Sequence, residues 1–412
     1  MDFLTSVFLV YSFIAFYFLF LFVLIYFQNR KDILKVPKIT KRYDISVVIT
    51  CYNEGDTIGN AIDNLVKNGY SNLKKIVVVD DCSKDNSYEI IQKYVKKYPG
   101  LVMAVQTPKG TGCAAGAKNY GSKFVETELI AFTDGDSFPE RGAIEKTIGF
   151  FDEKNVGAVT STVLVKNRTN LLLRLQAIEY IVIKFTRKLL EYIGSIYVTP
   201  GPLAVYRMSA FKKIGRFDAK NLTEDIEITW RMMYNGYDVK MSIPSKVYSV
   251  APHTFKDWFR QRIRWNKGGV QTMIKYSGSF FKRGMLGAFV LPFFVFSWFL
   301  GVFGLCVLVY RLFKALIIRY LLTTYSVKAH AAILTLKDFN LTPSILIFMG
   351  LVLFALSLIF SIIALLSIRE KKKFKRPNVF IFLVYEFFYL LTYPVILVVS
   401  AWELLRGKKT WN

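Results

Sequence analysis

The sequence predicts an α/β domain with a mainly parallel sheet, joined to interfacial amphipathic helices and transmembrane α-helices. Three observations carry this. Short β-branched runs alternate with segments of helical length before residue 140. Uncharged apolar runs long enough to cross a bilayer stand at the start and late in the 412 residues. Lys and Arg, 55 against 30 Asp and Glu, crowd beside those runs. An apolar content of 53% excludes a disordered chain. The net charge of +25 suits nucleic acid, anionic lipid or a phosphorylated substrate. The bases flank apolar runs and form no single patch with aromatics, so no nucleic-acid partner is expected. Cys51, Cys82, Cys113 and Cys306 show no C-x-x-C spacing, which argues against a disulfide framework or zinc site and for a reducing compartment. Two histidines leave little room for a histidine metal site or a Ser-His triad.

The elements follow in order. Residues 1–28 form an N-terminal span: Phe3 to Phe27 is uncharged, longer than a signal-peptide core, and has no basic stretch before it or small-residue cleavage site after it. Arg30, Lys31, Lys35, Lys38, Lys41 and Arg42 follow against Asp32 alone, which places Asn29 to Arg283 in the cytoplasm. Within the domain at 29–253, Ile45–Thr50, Ile76–Val79, Val102–Val105 and Leu129–Phe132 read as buried strands. Thr57–Lys67, Asn86–Lys97 and Gly112–Val125 read as the helices between them. From Leu171 to Ile193, Leu171, Leu175, Ile178, Val182, Phe185 and Leu189 recur at 4,3 spacing beside Arg174, Lys184, Arg187 and Lys188. This reads as an interfacial helix, with a core-packing helix as the alternative. Residues 254–283 form a basic amphipathic interfacial helix.

Residues 284–412 form a C-terminal membrane region of three or four helices: Gly284–Tyr310, Leu341–Ile368 and Asn378–Trp402, with Arg311–Tyr325 a fourth, partial or interfacial helix. The basic run Arg369–Arg376 and the tail bases Arg406, Lys408 and Lys409 both read as inside. Three spans after the domain would leave the tail outside. Glu386, inside the last span, is a functional candidate by default.

In open α/β sheets ligands bind beyond the carboxyl ends of the strands. Here those ends carry Cys51-Tyr-Asn-Glu54, Asp80-Asp-Cys-Ser83 and Asp134-Gly-Asp136. One crevice therefore collects Glu54, Asp81, Asp134 and Asp136. Asp80 or Asp81 alone reads as a helix cap; all the ends together do not. Two aspartates two residues apart suit a hard divalent cation, Mg2+ or Mn2+, which takes oxygen ligands and leaves room for phosphates. Thr223 is placed to cap a helix whose first residues, Glu224 and Asp225, complement its dipole at the least. Gln261, Arg264 and Trp265 share one face of a helix over Thr254–Lys275, directed at the crevice, at a membrane surface, or at both. His253 reads as structural.

These motifs resemble family 2 glycosyltransferases of the GT-A fold. Val48–Glu54, Val77–Ser83 and Phe132–Ser137 match that pattern, Thr223-Glu-Asp225 resembles its Thr-Glu-Asp, and Gln261–Trp265 its Gln-x-x-Arg-Trp. Pro200–Arg207 is similar to the acceptor-side segment of hyaluronan and chitooligosaccharide synthases. Arg264–Gly269 is similar to bacterial poly-N-acetylglucosamine synthases. The likeness, shared with chitin and cellulose synthases, covers residues 45 to 270 and the membrane layout. Ala115-Gly-Ala-Lys-Asn119 departs from the usual Lys-Ala-Gly-Ala-Leu-Asn towards non-processive members. A single span precedes the domain, and Lys408–Trp411 is at most a remnant of a gating loop.

The resemblance implies a Rossmann-like GT-A domain and inverting hexosyl transfer from a nucleotide sugar, UDP-N-acetylglucosamine or a related UDP-sugar. It implies nucleotide contacts from Tyr52, Glu54, Asp81, Lys118 and Asp134, with metal contacts from Asp136 and Asp134. Asp225 is implied as general base with Glu224 beside it. Gln261, Arg264, Trp265, Gly201 and Pro202 are implied for the diphosphate and acceptor. The partners implied are the UDP-sugar, an acceptor glycan or lipid-linked acceptor, and membrane lipid, for a multi-pass protein of the cell membrane. The leading function is a synthase that extends a β-linked polysaccharide and passes it through its own spans. The alternative is single transfer to a polyprenyl phosphate, in the manner of dolichyl-phosphate mannose synthases. A non-catalytic channel or scaffold would leave the strand-end acids without a purpose.

Overall fold

The computed structural model describes residues 3–328, 345–368 and 378–407. Leu341–Ser344 of the expected span, the basic run Arg369–Arg376 and the tail Lys408–Trp411 lie outside the described residues. A first helix, α1 (Phe3–Asn29), leads to β1 (Ile45–Cys51), α2 (Gly55–Val66), β2 (Leu73–Asp80), α3 (Ser87–Lys97), β3 (Val102–Gln106), α4 (Ala114–Gly121) and β4 (Leu129–Asp134). All four expected strands and the three helices between them are present. Then come β5 (Ser137–Pro139), α5 (Glu145–Ile148), β6 (Val156–Val165), α6 (Leu171–Tyr192), β7 (Ala204–Arg207), α7 (Met208–Lys213), α8 (Glu224–Tyr234) and β8 (Asp238–Ser249). The chain ends in α9 (Phe255–Tyr276), α10 (Leu291–Lys328), α11 (Ile345–Ser367) and α12 (Val379–Leu405).

The strands form one sheet in the order β3-β2-β1-β4-β7-β6-β8-β5. Pairing is parallel across β3, β2, β1 and β4 and between β6 and β8, and antiparallel at β7 and β5. Successive side chains of a strand point to opposite faces, and β1 shows it. Ile45, Val47 and Ile49 pack with Ile58, Ile62 and Leu65 of α2. Val48 faces the other core, shared with Phe185 and Leu189 of α6. That second core continues into Phe22 and Ile25 of α1 and Phe360 and Ala364 of α11, so the domain and the apolar helices are packed as one body.

The helix α6 corrects the interfacial reading. It is wedged between β6 and β8 on one side and α1, α11 and α12 on the other, with Leu175, Ile178, Phe185 and Leu189 at most 2% exposed. The 4,3 spacing is the same whether protein or lipid covers the face, so the periodicity could not separate the two. Arg311–Tyr325 is likewise no separate helix: it continues α10. Four helices among the described residues are long and apolar enough to cross a membrane, in α1, α10, α11 and α12.

Candidate active site

One cavity of about 1210 Å³ opens beyond the carboxyl ends of β1, β2 and β4. Tyr52, Glu54, Asp81, Lys118, Asp134, Asp136, Gly201, Pro202, Glu224, Asp225, Gln261, Arg264 and Trp265 all line it. Every residue singled out for nucleotide, metal, base or acceptor is therefore brought to one space. Glu386, on α12, does not line it. His253 bonds Asn167 through Nε2 at 2.9 Å and gives its carbonyl to Asn170, in the turn that leads to α9.

The strand ends are held by their own loops. Asp81 does not cap a helix: its carboxylate accepts from the Thr107 hydroxyl, the Thr111 hydroxyl and the Thr111 amide at 2.8–2.9 Å. Asp80 accepts from Gln106 and from the amide of Ser83. Asn53 and Cys82, just past β1 and β2, sit at φ 54° and 61°, a left-handed region that costs non-glycine residues energy and recurs at functional sites. Gly135 stands where a Cβ would lie 2.0 Å from Glu54 Oε2. Only glycine there lets Glu54 close on the two aspartates.

That closeness has an electrostatic signature. Burial, then the charges of Asp136 and Asp134, push the Glu54 carboxyl up to about 9. Burial and Asp134 push Asp136 up to about 6. Glu54 Oε2 is buried with no hydrogen-bond partner. Like charges crowded out of water raise each other's pKa, and a cation relieves the crowding. No ready cage of three or more His, Cys, Asp or Glu exists among the described residues. A hard cation that shares its oxygens with a substrate diphosphate needs only one or two protein carboxylates, so Asp136 and Asp134 fit Mg2+ or Mn2+.

The acids at the start of α8 divide their labour. Thr223 occupies the cap position, but its side chain caps nothing and donates to Asn221 at 3.3 Å. Glu224 takes a 2.9 Å hydrogen bond from Lys118 Nζ. Lys118 is 2% exposed and stands 3.4 Å from Asp134 as well. Lys118, expected at the nucleotide, lines the cavity with its charge bridging two carboxylates. Burial raises Glu224, but the Lys118 charge and hydrogen bond outweigh it and hold the carboxyl below its usual range. Asp225, with burial and the neighbouring Glu224 charge against it, is pushed up to about 6. Two adjacent carboxylates set apart this way suit different tasks: Glu224 stays ionised, and Asp225 can take a proton near neutrality. A Cβ on Gly201 would fall 2.9 Å from Asp134 Oδ2 and 3.0 Å from Lys118 Nζ, so glycine is needed for the Pro200–Pro202 turn to press on this pair.

The opposite wall is helical. Thr254 caps α9 by accepting from the Asp257 amide. The helix packs against α8 and α12. Between its Gln261 and Arg264 lies Arg262, which the sequence reading passed over. Arg262 is fully buried and forks onto Glu179 of α6 at 2.9 and 2.5 Å. Tyr389 and Tyr393 of α12 each donate to the same carboxylate at 2.7 Å. The guanidinium also lies 4.2 Å over the Trp265 ring and donates to Gln261. Three helices are pinned at one carboxylate, and the pin carries Trp265 and Gln261. An arginine one residue inside a known motif was the only sequence signal for it.

Residues 42–268, more than half of the chain, match the model of the family described as "Glycosyltransferase like family 2". Poly-beta-1,6-N-acetyl-D-glucosamine synthase of Staphylococcus aureus (strain MSSA476) is 27% identical over 270 residues, 65% of this chain and 64% of the relative. The enzyme of the same name from Staphylococcus epidermidis is 28% identical over 251 residues, 60% of each. The chain thus spans less than two thirds of the length of these relatives. Among solved structures, the mannosyltransferase PcManGT from Pyrobaculum calidifontis, in complex with GDP-Man and Mn2+, superposes with a TM-score of 0.61 at 17% identity over 97% of this chain and 99% of its own. This likeness is one of fold, the GT-A fold that the sequence implies. With its sheet, its strand-end acids and its Gln261–Trp265 helix assembled around one cavity, the chain belongs to glycosyltransferase family 2.

Proposed function

We propose that this glycosyltransferase moves a sugar, with inversion, from a UDP-sugar to a hydroxyl of a growing β-linked polysaccharide at the membrane. The carrying observation is the single cavity that joins the strand-end acids to Asp225 and to the helix of Arg264 and Trp265. The names of the curated relatives support UDP-N-acetylglucosamine as donor. In this reading 29–253 is the transferase domain, facing the cytoplasm, and 254–283 is the helix that joins it to spans in α1, α10, α11 and α12. Exposed Phe13, Phe20, Leu312, Phe348 and Leu390 on those helices are what lipid would cover.

Tyr52 and Asp81 border the nucleoside, with Glu54 deeper. Mg2+ or Mn2+ held by Asp136 with Asp134 supplies Lewis-acid neutralisation of the diphosphate when bound. Arg264 adds a cation on the far side. The acceptor hydroxyl, positioned against Trp265 and the Gly201–Pro202 turn, gives its proton to Asp225 as its oxygen bonds the anomeric carbon. The bond from that carbon to the diphosphate oxygen breaks, and its electrons leave with the nucleoside diphosphate. One displacement, with no enzyme nucleophile, inverts the anomeric centre. Lys118 keeps Glu224 ionised, and that charge keeps the Asp225 carboxylate basic. A phosphate nucleophile is already ionised and needs no base, so a base at Asp225 supports a hydroxyl acceptor over direct transfer to a polyprenyl phosphate.

The test is a screen of nucleotide sugars against the purified full chain with Mg2+ or Mn2+, reading release of nucleoside diphosphate and product length. UDP-N-acetylglucosamine turnover giving a polymer is expected. Release from no nucleotide sugar would overturn the function, and products of one added sugar would overturn the polymer.

A further inference from the structure

The segment between α6 and β7 carries the Pro200–Pro202 turn, and it is tied down on both sides of that turn. Ahead of it, the Trp230 indole of α8 donates to the Tyr197 carbonyl at 3.1 Å. The Thr199 amide donates to the Thr229 hydroxyl, also of α8, at 2.9 Å. Behind it, Leu203 is fully buried at φ 51°, and its carbonyl accepts from the Ser161 hydroxyl at 2.9 Å. A bulky residue persists in that left-handed region only where its surroundings over-determine it.

Thr199, Thr229 and Tyr206 of β7 are at most 1% exposed, and each hydroxyl has one proton to give. Thr229 gives its proton to the carbonyl of Asp225, one turn earlier in α8, at 2.6 Å. It then accepts from the Thr199 hydroxyl, 2.9 Å away. With that proton spent, Thr199 accepts from the Tyr206 hydroxyl at 2.7 Å. The protons run one way, from Tyr206 through Thr199 and Thr229 to Asp225, and hydrogen bonds in such a series strengthen one another. The Thr199 oxygen also lies 3.5 Å from the Asp225 carbonyl. Tyr206 anchors the series, its ring packed with Phe132, Phe211 and Phe217. The Asp225 carboxylate accepts from the next amide, that of Ile226, at 2.9 Å, so the base stands where its backbone stands.

We propose that Thr199 and Thr229 are positioning residues for the transfer: their hydroxyls fix the Pro200–Pro202 turn against the backbone of Asp225, and so set how far an acceptor hydroxyl on that turn lies from the base. The inference rests on the transfer to a hydroxyl proposed above. Neither threonine lines the cavity, so neither touches donor or acceptor. Through Gly201 the same turn abuts Asp134 and Lys118, which places base, acceptor turn and metal side in one frame. For stability alone, apolar side chains of the same shape would serve nearly as well. The hydroxyls add direction and a fixed distance.

The experiment compares wild type with Thr229→Val, which keeps the shape and removes the hydroxyl, in the full chain in nanodiscs with Mn2+. UDP-N-acetylglucosamine is the donor and a β-linked N-acetylglucosamine oligomer the acceptor. Turnover is counted per UDP-binding site, so that misfolded protein drops out. A misplacement of about 1 Å costs up to about 10²-fold, so Thr229→Val should lower kcat about ten- to a hundredfold while UDP affinity stays within about twofold. Thr229→Ser, which restores the hydroxyl, should recover most of the loss. Thr199→Val breaks the series one link earlier and leaves the Thr199 amide bonded, so its loss should be of the same kind and smaller; it decides alone if Thr229→Val does not fold. The acidic limb of the profile near pH 6 should stay in place, because the series bonds the Asp225 carbonyl and not its carboxyl. Wild-type kcat per site in the valine variants, UDP affinity lost in step with kcat, or Thr229→Ser as slow as Thr229→Val would each overturn the positioning role. A limb moved by about one pH unit would overturn it too, since the hydroxyls would then tune the base instead of placing it. No release of UDP by wild type would overturn the transferase reading itself, which is a separate result.

Discussion

The two walls of the cavity are built on opposite plans. The sheet wall gathers Glu54, Asp81, Asp134 and Asp136 on loops that follow parallel strands, and its tension is negative charge crowded out of water. The helical wall gathers Lys184, Arg187, Arg264 and Trp265 on α6 and α9, and a buried arginine–glutamate pin holds its helices together. Between the walls, Lys118 links Asp134 to Glu224. A cavity with an acidic floor on one side and a basic wall on the other suits a reaction in which a metal-bound diphosphate leaves one side as an acceptor arrives from the other.

Each wall can be broken separately. The largest effect is expected on the acidic side: chelation should reduce transfer to background, and Asp136→Asn should do the same with metal present. Full turnover in chelator, with no metal retained by elemental analysis, would remove the metal from the account. Next is the base. Asp225→Asn should lower turnover by about 10²–10⁴, the usual worth of a positioned base. Wild-type turnover should fall as pH drops through about 6, because the raised Asp225 carboxyl then keeps its proton. The residual activity of Asp225→Asn should lack that limb of the profile.

On the helical side, Glu179→Gln leaves Arg262 buried without its counter-charge, which costs about 3–5 kcal/mol in comparable pairs. A clear loss of melting temperature is expected in detergent. The double change Glu179→Gln with Arg262→Met should melt above Glu179→Gln alone; a double variant that melts lower would show that the pin does more than balance charge. The smallest effect belongs to Trp265→Ala. Arg262 covers one ring face, so a single face is left for a sugar. The acceptor KM should rise about two- to tenfold, the worth of one stacked contact. Slow hydrolysis of the donor by water should change less than transfer, and equal loss of both would argue against stacking on the acceptor.

The walls also differ in how far the sequence revealed them. The sheet wall was legible because a parallel strand has two constraints at once: a β-branched run and, directly after it, the residues that do the chemistry. Val77-Val-Val-Asp-Asp shows both in five residues. The later strands were not legible. β7 is four residues long and β5 three, and both owe their place to pairing with distant partners. The helical wall was legible in its motif and hidden in its mechanics. Arg262 and Glu179 lie 83 residues apart, and nothing local marks them as a pair. Glu224 and Asp225 are neighbours that look alike in sequence; Lys118, 106 residues earlier, makes them different. The apolar residues of α6 read as an interfacial stripe because burial by α11 and α12 imposes the same period as burial by lipid.

The division of the cavity is tested most directly by a structure of the full chain in nanodiscs with UDP and Mn2+. The account predicts a metal coordinated by a carboxylate oxygen of Asp136, the diphosphate between that metal and Arg264, and the uracil beside Asp81. A diphosphate seated on Lys184 and Arg187, with no metal at Asp136, would contradict it.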